Sequence, residues 1–224
     1  MMLRMNRTVC TLLAAAALAG GLAGCATPIV LGGAALGGMM AIDRRTAGIQ
    51  IEDESIELRA VNRIHGAYGD KVHINVTSYN RQVLLTGEAP SAEAREGMEK
   101  IVAGVENVRS VVNDLAVMPN TSLVQRSNDT FITGKVRASL VDAKDLSASS
   151  FKVVTERNVV YLMGLVTQRE AARATAIARG VMGVSTVVRV AEYLTDDGLD
   201  RMNAAPRKSA PVTQDNAETG APMR

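Results

Sequence analysis

The chain has 224 residues, with 25 basic and 23 acidic side chains, two cysteines, two histidines and only 3% aromatic residues. A near-balance of charge with so few rings argues against single-stranded nucleic-acid binding, which uses a basic groove lined with stacking aromatics. His65 and His73 have no nearby cysteine or second histidine, so neither resembles a metal ligand set.

In chain order, Arg4 and Arg7 precede the apolar run TLLAAAALAGG, and LAGC closes the segment at Cys25. Charge, apolar stretch and small residues in this order read as a secretory signal over residues 1–24. The run from Val9 to Ala23 is short for a bilayer span of about 20 residues. The segment resembles a bacterial lipoprotein signal peptide, which implies that Cys25 becomes the lipidated first residue. Loss of the signal removes Arg4, Arg7 and Cys10, leaving 23 residues of each charge and no free thiol. Disulfides, cysteine nucleophiles and cysteine metal sites are then excluded. Ala26 follows Cys25, and the absence of aspartate there resembles an outer-membrane address. Residues 25–50 read as a Gly-rich tether whose apolar part, ending before Arg44 and Arg45, is only 17 residues long. Gly33 and Gly37 stand at the spacing of close-packed membrane helices, so a lipid-contacting helical turn is the rival to a tether.

Two copies of one pattern follow. In the first, residues 51–118, Ile56, Ala60 and Ile64 mark a helix face, and Val72, Ile74 and Val76 alternate as a strand with His73 facing outward. SYNRQ then supplies a tight turn into a second strand through Val83 and Leu85. A helix over 93–105 and a strand over 111–117 complete the unit. The second copy, residues 128–194, is predicted to open with a helix over 129–140 capped by Asp129, with Ile132, Val136 and Leu140 on its buried stripe. FKVVTERNVVYLMGLV, REAARATAIARGV and STVVRVAEYL continue it. Gly87 and Gly164 recur 77 residues apart, and Gly104 and Gly180 recur 76 apart. Such an ordered recurrence predicts two sister domains, each α-β-β-α-β with two helices covering a three-stranded sheet. Gly87 and Gly164 are read as structural glycines that allow a bend or close backbone approach. Residues 119–127 form a linker, and the polar, Pro-containing residues 195–224 read as a disordered tail.

Chemistry is scarce. No Walker loop, HExxH or GxSxG occurs, and the carboxylate pairs sit on solvated faces or helix starts rather than in a desolvated geometry. Catalysis, metal and cofactor are therefore not expected. The two copies differ electrically: residues 52–117 carry seven bases against 11 acids, while 128–194 carry nine against six. An anionic surface would repel the first and attract the second. Phe131, one of only two phenylalanines, falls about 100° off the Ile132 stripe, with Lys135 one turn further on. Two readings stay open. The ring enters a bilayer interface beside the Lys135 ammonium, or it packs over the sheet edge or the other domain.

INVTSYNRQVLLTGEAP, SNDTFITGKVRASL and VVYLMGLVTQREAARA, with DRRTAGIQIED before the first helix, resemble the BON domain. The tandem arrangement over about residues 1–194 resembles the dual-BON outer-membrane lipoproteins. The resemblance implies an α/β fold of the α+β type, with two helices on a three-stranded mixed sheet in each domain. It implies a lipid anchor at Cys25 on the inner leaflet of the outer membrane, facing the periplasm, and no cofactor. It further implies that Phe131, Lys135 and Arg137 bind anionic phospholipid, in support of envelope integrity at division sites. The family helix carries tryptophan at the Phe131 position, so the indole N–H is missing here. The alternative is an adaptor whose acidic first domain recruits an envelope protein.

Overall fold

A computed structural model describes residues 43–69 and 72–204. Cys25, the Gly-rich segment and the tail beyond 204 lie outside the described residues. Both copies fall in one compact unit.

The first copy runs α1 (Ala47–Tyr68), β1 (His73–Tyr79), β2 (Gln82–Ala89), α2 (Ala92–Ala103), β3 (Ser110–Asn113) and β4 (Ala116–Val117). β1 pairs antiparallel with β2, and β3 and β4 both lie parallel to β2 on its other side. The single third strand expected over 111–117 is thus interrupted: the Asp114 amide still bonds Leu85 O, while Leu115 is buried. The second copy runs α3 (Leu123–Asp142), a 3₁₀ turn (Ala148–Ser150), β5 (Phe151–Glu156), β6 (Val159–Thr167), α4 (Gln168–Arg179) and β7 (Thr186–Leu194). β5–β6 is antiparallel and β6–β7 parallel. A hairpin followed by a crossover helix leaves β2 and β6 central, and the sheets are mixed as the resemblance implies.

In each copy one sheet face meets the helices. Ile56, Ala60 and Ile64 meet Val83, Leu85 and Met98 in the first core, and Ile132, Val136 and Leu140 meet Val160, Leu162 and Ala174 in the second. The opposite faces are not solvated. Tyr79 and Leu84 of the first sheet are buried in one cluster with Tyr161, Met163, Leu165 and Val190 of the second. The fold is therefore four layers, helices–sheet–sheet–helices, which explains why β2 and β6 are buried at nearly every position.

Two boundaries differ from the sequence reading. α3 starts at Leu123, with the Ser122 hydroxyl accepting from the Gln125 amide, so the linker is largely helix and Asp129 is not its cap. Asp129 is buried in the second turn and accepts from the Arg157 and Asn158 amides of the β5–β6 turn, at 3.0 and 2.8 Å. Asp53, 76 positions earlier, does the same for Asn80 and Arg81. All four turn residues have positive φ, as a two-residue hairpin turn requires. The second difference is α5 (Asp196–Ala204), which turns the start of the expected disordered tail into helix, with Met202 against the cluster between the sheets.

Arg44 and Arg45, expected only to end the apolar run, hold both copies. Arg44 makes a two-point pair with Glu170 at 2.7 and 2.9 Å and donates to Leu165 O, all in the second copy. Arg45 pairs with Asp53 at 2.8 Å and lies 4.1 Å from the centre of the Tyr79 ring, both in the first. Gly87 and Gly164 are also where close approach demands them. A Cβ at Gly87 would stand 2.1 Å from His73 O and one at Gly164 2.5 Å from Ser150 O, and only Gly87 has a positive φ, of 114°.

Candidate membrane-contact site

The core stripe of α3 fixes where its other residues point. Ile132, Val136 and Leu140 are sealed inside, so Phe131, about 100° away, is turned to solvent and is 66% exposed. It is not sealed against the sheet or the first domain. The Lys135 ammonium lies 4.9 Å from the centre of the ring, at cation–π distance, and donates to the carbonyl oxygen of Met182 in the turn between α4 and β7. Ring and ammonium thus stand side by side, the ring exposed and the lysine half-buried. Arg137 does not join them. Its guanidinium donates to Val153 O of the strand β5 at 3.1 Å, about 120° of helix rotation from Phe131 on the opposite side from Lys135. Among the described residues, no helix is long and apolar enough to cross a membrane.

Charge is partly matched across the seam. Lys152 pairs with Glu57 at 2.6 Å, Arg157 with Glu88 at 3.1 Å, and Arg109 of the first domain with Glu192 of the second. Lys152 and Arg157 are thereby engaged internally rather than held out to an external anion. The contrast in charge between the copies is in part an interface property.

His73 also differs from its expected position. Odd-numbered residues of β1 face the second sheet, so its ring lies at the seam, 2.9 Å from Glu88. The ligand-type atoms of His73, Glu88 and Glu156 all lie within 4.8 Å of one another. Each is engaged by the protein: Glu88 also accepts from Thr121 and Arg157, and Glu156 accepts from Asn75 at 2.8 Å. Burial pushes the Glu88 carboxyl up, but the Thr121 amide, His73 and Arg157 outweigh it and hold it below the usual range. Glu156 goes the other way, raised by burial and by the neighbouring Glu88 charge. A folded-state value above the unfolded one means that its contribution is present in acid and is lost as pH rises through that value. Glu156→Gln, which keeps the acceptor for Asn75, is therefore expected to raise the melting temperature at neutral pH. The gain should shrink toward pH 4, as followed by thermal melts across that range.

The BON domain family matches residues 53–119 and 128–194. The chain is 35% identical over 175 residues to the outer membrane lipoprotein DolP of Haemophilus influenzae, covering 77% of this chain and 90% of that protein. It is 33% identical over 155 residues to a 21 kDa hemolysin of Actinobacillus pleuropneumoniae, covering 68% of this chain and 80% of that protein. The osmotically-inducible protein Y of Escherichia coli is 33% identical over 117 residues, which covers 51% of this chain and 58% of that one.

Proposed function

The chain belongs to the BON-domain family, and from that premise we propose that it is a non-catalytic, lipid-anchored protein of the outer membrane that binds anionic phospholipid through its second domain. Cys25 carries the anchor, and the domains face the periplasm beneath the inner leaflet. There the protein supports envelope integrity, with division sites as its place of action. Support for the address comes from the lipoprotein signal and from the similarity to an outer membrane lipoprotein. The observation that carries the binding reading is Phe131, a large aromatic ring left in solvent beside the sealed stripe of α3, with an ammonium next to it. Insertion of the ring is worth about 1.5–3 kcal/mol, and each base near an anionic surface about 1 kcal/mol. Arg137, which lies off the face that carries the ring, contributes less than Lys135.

The test is flotation of the mature chain carrying Cys25→Ser, so that no acyl chain contributes. Both domains are kept because they share the cluster between the sheets. Binding to phosphatidylglycerol vesicles should exceed binding to phosphatidylcholine and should weaken with added salt. Phe131→Ala should lower it at least tenfold and Lys135→Glu several-fold, with Arg137→Gln milder. Binding that ignores headgroup charge and all three substitutions would remove the reading.

A further inference from the structure

The two copies are an internal comparison, because the first helices and the turns after the second helices register at an offset of 76. The buried residues confirm the alignment: Asp53 matches Asp129, Ile56 matches Ile132 and Ile64 matches Leu140. On it, Phe131 replaces Ser55, Lys135 replaces Arg59 and Met182 replaces Glu106. In the first domain this corner is polar and paired: Arg59 bonds Glu52 at 2.6 Å and Glu106 at 3.4 Å. In the second domain the same corner has lost a hydroxyl and a carboxylate at two places distant in sequence, and both became apolar. Those two places are joined through a single side chain. One ammonium, that of Lys135, lies over the Phe131 ring and donates to the Met182 carbonyl. Met182 is 83% exposed, more than any other large apolar residue described.

The turn is seated to hold this arrangement. Gly183 has φ +100°, and a Cβ there would lie 3.1 Å from the Ile132 terminal methyl and 3.7 Å from the Lys135 ammonium. The turn therefore rests on α3 itself. The matching Asn107 of the first domain also has a positive φ, of 66°, so the shape is common to both copies and only the chemistry has changed.

We propose that Met182 is a second insertion point, and that the surface entering an anionic bilayer is the pair Phe131 and Met182 with the Lys135 ammonium between them at headgroup level. The inference rests on the lipid-binding reading of Phe131 and extends it to an element outside that helix. A lipid surface is the occupant because the two exposed apolar groups flank a cation rather than a closed groove, which suits a layer that is apolar below and anionic above. Reach permits it: the stretch from Cys25 to Asp43 can extend to about 60 Å at most, by the length of an extended chain.

The mature Cys25→Ser chain has no thiol, so Met182→Cys accepts a single polarity-sensitive dye. Its emission should shift to the blue on phosphatidylglycerol vesicles, and a dye at Glu106→Cys should not shift. In flotation, Met182→Gln should weaken binding about fivefold or more and Met182→Glu further, with melting temperatures unchanged because the side chain is exposed. If Phe131→Ala abolishes binding while Met182→Gln and the dye show no effect, the insertion point is refuted and the Phe131 reading stands. If Phe131→Ala has no effect either, the lipid reading fails and takes this inference with it. A dye that shifts only when another protein is added, and not with vesicles, also overturns the proposal.

Discussion

Asp53→Ala is expected to cost about 3–5 kcal/mol, the range for removing one partner from a buried charged network. The loss should appear as a large fall in the urea midpoint. Asp53 is almost fully buried and accepts from the Ser78 hydroxyl at 2.7 Å, the Asn80 and Arg81 amides at 2.8 Å each, and the Arg45 guanidinium. Removing it leaves two turn amides without their acceptor and Arg45 with Asp43 alone, while Asn80 and Arg81 stay in a left-handed conformation that those bonds offset. The effect links three elements, because one carboxylate on α1 holds the β1–β2 turn and the segment before the helix. Asp129→Ala should be milder, since Asp129 has the two turn amides and Gln125 but no guanidinium. Titration supplies a second readout. Burial raises the Asp53 carboxyl, but the Ser78 hydroxyl, the Arg81 amide, Arg45 and the Asn80 amide together hold it below the usual range. Its contribution is full above the unfolded value and is lost as pH falls through the folded one. Asp53→Asn should therefore be less stable at neutral pH and lack that part of the acid transition.

Gly87→Ala should destabilise by roughly 3 kcal/mol or more, a large share of the 5–15 kcal/mol that a domain commands. Two costs coincide. The backbone at φ 114° is one that an L side chain rarely adopts, at about 1–3 kcal/mol. The new methyl would also stand 2.1 Å from His73 O, a main-chain atom of the paired strand that cannot swing aside. Relief requires β1 to move, and β1 carries His73 and Asn75 into the seam. Gly164→Ala occupies the matching place and meets Ser150 O at 2.5 Å, but its φ is ordinary. The sister substitution is expected to be the smaller of the two in the same urea experiment, and equal losses would mean that the left-handed backbone contributes nothing.

Much of each domain was legible because its elements carry clear periods. The stripes at Ile56/Ala60/Ile64 and Ile132/Val136/Leu140 and the recurring glycines suffice for α-β-β-α-β twice over. What escaped depends on contacts between copies, or on exposed residues that carry no period. Leu123 and Val124 are exposed, so the start of α3 lacks a buried stripe, and the period alone places the helix start at Asp129, the capping-type residue just before the Ile132 stripe. The offset of 76 from Asp53 could have shown that two aspartates in one register share a task other than capping. The unbroken run VVYLMGLV was a signal that both faces of β6 are covered. That run, with the alternate face of β1, foretells a second sheet above the first, which is why His73 is not outward. Of the site, the off-stripe position of Phe131 and its lysine were readable from angle alone. Arg137 shares the helix but not the face. Met182 had no signal in its own neighbourhood, because its meaning comes only from what Glu106 does in the sister copy and from the fold that brings the turn to α3.

The paired arginines just before α1 have a mechanical consequence. Arg44 and Arg45 follow one another in the chain, yet one guanidinium grips each half of the folded body. A tug along the chain there is shared by both halves, so neither can be peeled from the other until a grip lets go. The two halves then answer a pull as one body, because the point where the load enters belongs to both.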